Sequence, residues 1–188
     1  VTFLPTDAHS PILHHNVNPL FNVYAGVEYA FKGAKDFFKG IHPQDRNKRA
    51  GSDFPFFVET GVGSSAIING PLNWSNTLGT SFKYAIGHWI NPAVAVRLSA
   101  ESAWNPVDAQ LHRHQMLGGL DLMFNPFGMS ADYQYDKSLG LNVIAGGNLG
   151  AQKTGYHKYG TVYGFGVGVQ LWTKVMDNTR FFFEPRYT

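Results

Sequence analysis

Ten ionisable side chains recur at alternate positions of short segments: the acids Glu28, Glu59, Glu101, Asp121 and Glu184, and the bases Lys83, Arg97, Arg113, Arg180 and Arg186. Charges withdrawn from water must be paired and hydrogen-bonded, and five acids against five bases can do both. Such a set also contains candidate carboxylate pairs for acid–base hydrolysis, but the balance of signs points to salt bridges. His112-Arg113-His114 places two imidazoles on one face of an extended segment, with His14-His15 as a second pair. Neutral imidazoles bind zinc or copper, so His112 and His114 are weak metal candidates; their ordinary role is as polar groups at a rim. Ser10, Asp7 and Asp108 are the residues on hand for a hydrolase built around a rim histidine. No Gly-x-Ser-x-Gly, His-Glu-x-x-His or phosphate loop is present. Gly164-Phe-Gly-Val-Gly168 lies inside a period-two segment and is not read as a nucleotide loop. The expectation is a protein with no catalytic residue, no cofactor and no dedicated metal site.

The elements that must position these charges follow from composition and period. The chain has 188 residues, the size of one domain, and a net charge of +2. Only 15% of residues are charged, against about 25% in soluble domains. Aromatics make up 15%, glycine numbers 21 and cysteine is absent. This excludes a disulfide scaffold, a disordered chain and a strongly basic nucleic-acid binder. No apolar run approaches the roughly 20 residues of a membrane helix. A chain without cysteine is compatible with an oxidising compartment, and a start at Val1 with no signal peptide fits a mature exported chain or a fragment.

The period is two. From Tyr159 to Trp172, Tyr163, Phe165, Val167, Val169 and Leu171 alternate with Gly160, Gly164, Gly166, Gly168 and Gln170. In 179–187, Phe181 and Phe183 oppose Arg180, Glu184 and Arg186; in 93–104, Val94, Val96 and Leu98 oppose Arg97 and Glu101. In 111–124, Leu120 and Leu122 oppose Arg113 and Asp121; in 77–90, Phe82 and Ile86 oppose Lys83. In 54–65, Phe56 and Val58 oppose Glu59; in 20–32, Val23 and Val27 oppose Glu28; 139–150 follows the same rule with asparagines. That gives about eight strands. Glycine accompanies the charged face, as crowding inside a small barrel requires, and too few charges exist to solubilise an exterior. The expected fold is all-β: an antiparallel, up-and-down transmembrane barrel with a charged lumen and an apolar, lipid-facing exterior. Phe56, Val94, Val96, Leu120, Leu122, Phe165, Val167, Phe181 and Phe183 face lipid in this reading. Tyr29, Trp89, Trp104, Tyr159, Tyr163 and Tyr187 form aromatic girdles. The alternatives are a soluble, lipocalin-like barrel with the apolar face inside and an apolar ligand, and an outer-membrane enzyme with its active site at the rim.

Short turns are expected at Asn91-Pro92, Asn125 to Gly128 and Met176 to Asn178, and longer connections at 66–76, 105–110 and 151–158. Residues 1–19 are expected to be a loop. Residues 34–51 read as a basic linker between the first and second strands, carrying Lys35, Lys39, Arg46, Lys48 and Arg49, with 34–39 able to form one interfacial helical turn.

Tyr24-Ala-Gly-Val-Glu-Tyr-Ala-Phe31 resembles the closing-strand signal of outer-membrane barrels. Phe56 to Gly61, Tyr84 to Pro92 with Val94 to Leu98, and Leu120 to Asn125 resemble the OmpA-like barrel proteins of Bacteroidota, over about two thirds of the chain. The resemblance implies an integral protein of the bacterial outer membrane. Its partners would be outer-membrane lipid and other outer-membrane proteins, its role an anchor or a subunit of a larger complex. A strand that resembles a last strand here comes first. This order points to a fragment, or to a module completed by further strands, and joining Thr188 to Val1 would restore the usual order.

Overall fold

The computed structural model describes residues 2–4, 16–17, 20–31, 56–68, 78–91, 93–106, 112–129, 138–154, 159–176 and 178–188. Among them run ten strands: β1 (Thr2–Leu4), β2 (Asn16–Val17), β3 (Leu20–Ala30), β4 (Phe56–Ile67), β5 (Gly79–Asn91), β6 (Val94–Pro106), β7 (His112–Phe124), β8 (Leu139–Thr154), β9 (Gly160–Met176) and β10 (Thr179–Tyr187). Residues that alternate large apolar side chains with polar groups or glycine form the pleated, two-faced strands they favour. From β3 to β10 each strand pairs antiparallel with the next, and β10 also pairs with β3 from Thr179↔Tyr29 to Tyr187↔Phe21. The result is a closed, eight-stranded, antiparallel barrel. The eight strands of this chain meet without any contributed from elsewhere, which corrects the expectation that further strands complete the wall.

The rim at Ala93 and Asn178 is the lower one here; the rim where Leu20 meets Thr188 is the upper one. There the two backbones exchange a pair of hydrogen bonds of 2.8 Å. The segment expected to be a loop, 1–19, contributes β1 and β2 to the wall. Tyr187 lies opposite Val167 of β9, and Thr2 lies opposite Gly164. Two β9 residues intervene, as many as the chain positions 188 and 1 that separate Tyr187 from Thr2 when the sequence is read from end to beginning. On the other side Tyr187 pairs with Phe21 and Phe3 with Val17, an advance of four positions on both partners. Thus β1 prolongs β10 and β2 prolongs β3 in one register.

Pro185 sits in a strand with neighbours on both sides. Pairing with β3 runs through Pro185↔Val23, whereas pairing with β9 lapses at Glu184 and Pro185. A proline has no N–H to donate, so the interruption falls on the β9 side.

Three local expectations are corrected. Trp89 is buried, not part of an outer girdle; it shares the parity of Lys83 and Gly87, and the bulge between Trp89 and Asn91 comes only after it. Asn125 to Gly128 is not a complete turn. It opens a connection that reaches Ser138 and begins with a 3-10 turn at Pro126–Met129, whose Phe127 and Gly128 amides donate to Asn125 at 3.0 Å each. The strand β8 continues to Thr154, four residues into the segment expected to be a loop. The basic linker 34–51, with its cations and its expected helical turn, lies outside the described residues, as do Asp7, Ser10, His14, His15 and Asp108.

Glycine makes room for aromatic rings in the lumen. A Cβ on Gly87 would overlap the ring of Phe57, and one on Gly140 would overlap Trp172. An eight-stranded barrel is only wide enough for side chains to fill, so these rings fit because the wall facing them is bare backbone.

Candidate functional site

Two surfaces carry unusual chemistry: the lumen and the outer face. The lumen is layered. Phe57, Trp89, Met123 and Ile144, with Ala30 and Ala95, form an apolar plug near the lower rim. Above it lies an ion cluster. Arg97 on β6, fully buried, donates through Nε and Nη2 to Asp121 Oδ2 at 3.1 and 2.8 Å. It also donates through Nη1 to Glu59 at 2.8 Å, and through both Nη atoms to Glu184 at 2.9 and 3.1 Å. Lys83 on β5 pairs with Glu184 and, at 3.3 Å, with Glu59. Arg186 on β10 donates to both oxygens of Asp121 at 2.8 and 2.7 Å, and lies 3.4 Å from Glu101. Planar guanidinium groups suit such forked contacts with carboxylates.

Amides and rings complete the cluster. Gln170 Nε2 donates to Glu59 at 2.8 Å while its oxygen accepts from Asn142 at 2.8 Å. Tyr24 donates its hydroxyl to Glu101 at 3.1 Å. Arg180 pairs with Glu28 at 3.4 Å and lies over the Trp172 ring, 4.1 Å from its centroid. The upper lumen is polar but less ionic. There Ser65 and Asn105 are joined by hydrogen bonds of 3.0 and 2.8 Å. Arg113, also buried, reaches Gln115 at 3.3 Å.

All ten charged residues singled out in the sequence are buried inside the barrel. Nine of them fall into two groups: Arg180 with Glu28, and Lys83, Arg97 and Arg186 with Glu59, Glu101, Asp121 and Glu184. Arg113 stands apart from both, near the upper rim. Sequence reasoning placed Gln170 and Asn142 on the polar face of their strands without giving them a role, and did not place Trp172 in the lumen. Their parity within the strands was the available signal, since each shares a face with a glycine or an amide already placed there.

The outer face is apolar. Leu98, Leu120 and Leu122 are 60%, 57% and 60% exposed, and Phe165, Val167, Phe181 and Phe183 are exposed as well. Phe56, Val94 and Val96 also point outward and are partly covered by neighbours. Among the described outward positions of β3–β10, Lys153 near the upper rim is the one charged side chain. No family model, no curated protein and no solved structure matches this chain.

His114 lies on this outer face and not in the lumen. Its ring stacks on Trp104 at 4.6 Å and 10°, with Ser102 Oγ 3.2 Å from Nε2 and Tyr159 Oη 3.1 Å from Nδ1. His112 belongs to the same strand. Among the described residues no group of three or more histidines and carboxylates could hold a metal ion.

Proposed function

We propose that this chain is an integral barrel of the bacterial outer membrane, of the OmpA-like kind found in Bacteroidota. In this reading it serves as a membrane anchor or structural subunit, embedded in outer-membrane lipid and docked beside a larger outer-membrane complex. The inverted polarity carries the proposal. Buried ions fill the inside, while leucines, valines and phenylalanines cover the outside. A contiguous exposed apolar surface of this extent marks contact with something other than water.

The dimensions agree. From Val94 to Trp104 on β6, outward positions carry no charge. Ten rises of about 3.4 Å, tilted by about 40°, cover roughly 26 Å, close to the apolar band of about 25 Å on outer-membrane barrels. Trp104, Tyr159 and Tyr163 sit toward the upper end of the band, where interfacial aromatics belong. A lipocalin-like carrier would need an apolar cavity. Here salt bridges occupy the centre, and the cavity beside Asn22, Tyr24, Glu101 and Gln115 measures about 10 Å³, room for a water molecule at most.

The test is gel migration of the purified chain in detergent, boiled and unboiled. A detergent-dependent chain whose unboiled band runs faster supports the proposal. A chain that stays monomeric and folded without detergent refutes it.

A further inference from the structure

His114 has partners on both ring nitrogens and an aromatic ring stacked on its face, and it lies outside the barrel. Ser102 Oγ is 3.2 Å from His114 Nε2, and Tyr159 Oη is 3.1 Å from Nδ1. Trp104 covers one face of the imidazole and Tyr159 meets its edge at 6.2 Å and 74°. A ring with its proton on Nδ1 donates to Tyr159 and leaves Nε2 to accept from Ser102. That is the geometry of an activated nucleophile: hydroxyl to base, and base to an orienting group. The relation does not depend on sequence motifs, since β6, β7 and the residue just before β9 supply it.

The surroundings define a substrate. Ser102 faces Phe82 on β5 and Met116 on β7; one step lower, Ala100 faces Tyr84 and Gly118. A Cβ on Gly118 would meet only the Leu149 carbonyl oxygen, at 3.7 Å. Packing therefore does not require glycine there, and its lack of a side chain leaves the wall below the serine bare in the row that runs from Tyr84 through Ala100 to Leu149. Ser102 stands one outward position below Trp104. On the membrane reading this is where headgroups give way to acyl chains, the depth of lipid ester bonds. Lys153, opposite His114 on β8, adds a cation, its Nζ 5.8 Å from the Tyr159 ring centroid.

We propose that Ser102 and His114 form a hydrolytic site on the outer wall that cleaves the long-chain carboxylic esters of membrane lipids. Ser102 Oγ attacks the ester carbonyl carbon and its proton passes to His114 Nε2. The tetrahedral oxyanion forms beside the Lys153 ammonium. Collapse breaks the bond to the alcohol oxygen, which leaves with the proton from His114. Water then attacks the acyl-serine and gives its proton to His114; the fatty acid departs and Ser102 recovers the proton. Tyr159 and Trp104 are positioning residues that hold the ring. This departs from the expectation of a barrel without catalytic residues, and it rests on the membrane reading for its substrate.

The test uses the folded chain in detergent, verified by its heat-shifted band. An alkyl fluorophosphonate should label Ser102, located by peptide mass spectrometry. Ser102→Ala should abolish labelling and His114→Gln should slow it about 100-fold, both with the heat shift unchanged. Tyr159→Phe should displace the midpoint of the pH–labelling curve, which a purely structural tyrosine would leave in place. Vesicles of a diacyl glycerophospholipid and of an acylated glucosamine glycolipid distinguish the two ester sources; release of fatty acid from either supports the proposal. No labelling, or labelling elsewhere, overturns the site and leaves the membrane reading intact. Labelling at Ser102 with neither lipid cleaved overturns the substrate class. Folding without detergent overturns the membrane reading, and the Ser102 adduct then reports on the dyad alone.

Discussion

Replacing Arg97 by Met tests the lumen directly. Arg97 gives five hydrogen bonds to Glu59, Asp121 and Glu184. If each were worth about 1.5–3 kcal/mol independently, the loss would reach roughly 7–15 kcal/mol. The three carboxylates keep other partners, however: Lys83 holds Glu59 and Glu184, and Arg186 holds Asp121. The smaller cost of breaking one buried ion pair, about 3–5 kcal/mol, therefore governs. In the native cluster Lys83, Arg97 and Arg186 face Glu59, Glu101, Asp121 and Glu184, three cations against four carboxylates. Arg97→Met leaves two against four, and adding Glu59→Gln gives two against three, the native imbalance. The glutamine retains an oxygen to accept from Gln170. The double variant should thus regain at least about 1 kcal/mol over the single one, since removing both partners costs less than stranding one. The assay is urea unfolding in lipid vesicles followed by the heat-shifted gel band. If Arg97→Met unfolds within about 1 kcal/mol of the native chain, or if the second substitution adds to the loss, buried pairing does not govern this lumen.

Two glycines should respond in opposite ways. Gly87→Ala drives a methyl into Phe57 and should cost about 1–3 kcal/mol, whereas Gly147→Ala meets nothing within 4 Å and should stay within about 0.5 kcal/mol. Equal urea midpoints would contradict the role given to Phe57. Leu98→Arg should cost about 2–4 kcal/mol in vesicles if the outer face meets acyl chains; a change near zero would place that face in water. In a planar bilayer the native chain should pass no steady current, because Lys83, Arg97, Arg186 and the plug around Trp89 fill the bore. Discrete, long-lived conductance steps would show an open lumen.

Much of the architecture was legible because a strand declares its faces through parity alone. Arg97 and Asp121 are opposite each other on neighbouring strands and could be assigned inward from alternation in each segment. Parity also placed Trp89 inside, and the girdle expectation erred by following its residue type and its nearness to a strand end. What parity cannot supply is register. Arg97 meets Glu184 across the bore, 87 positions away in sequence, and no spacing in the chain encodes that contact. The same holds outside. Ser102 belongs to β6, His114 to β7, and Tyr159 immediately precedes β9, so the dyad and its orienting tyrosine exist only once three strands are aligned. Rim histidines were noticed, but the residues set beside them were Ser10, Asp7 and Asp108; Ser102, between Ala100 and Trp104 on an apolar face, was not considered.

The continuity of β1 with β10, and of β2 with β3, bears on how the barrel is reached kinetically. Closure pairs Thr179 with Tyr29 and Tyr187 with Phe21, residues 150 and 166 positions apart, and β1 meets the distant β9 through Thr2 and Phe3, while the other seams of the wall join chain neighbours. Contact order is thus concentrated where β10 and β1 complete the wall, and zipping the long β10–β3 seam is the natural last and slowest event. Because the lattice runs on from Thr188 to Thr2, a peptide bond linking the ends would turn this seam into a local hairpin. Shortening the closing loop about tenfold lowers its entropic cost by about 2 kcal/mol. The pairing pattern is therefore that of a ring, indifferent to where the backbone is cut, whereas the order of folding is fixed by the cut.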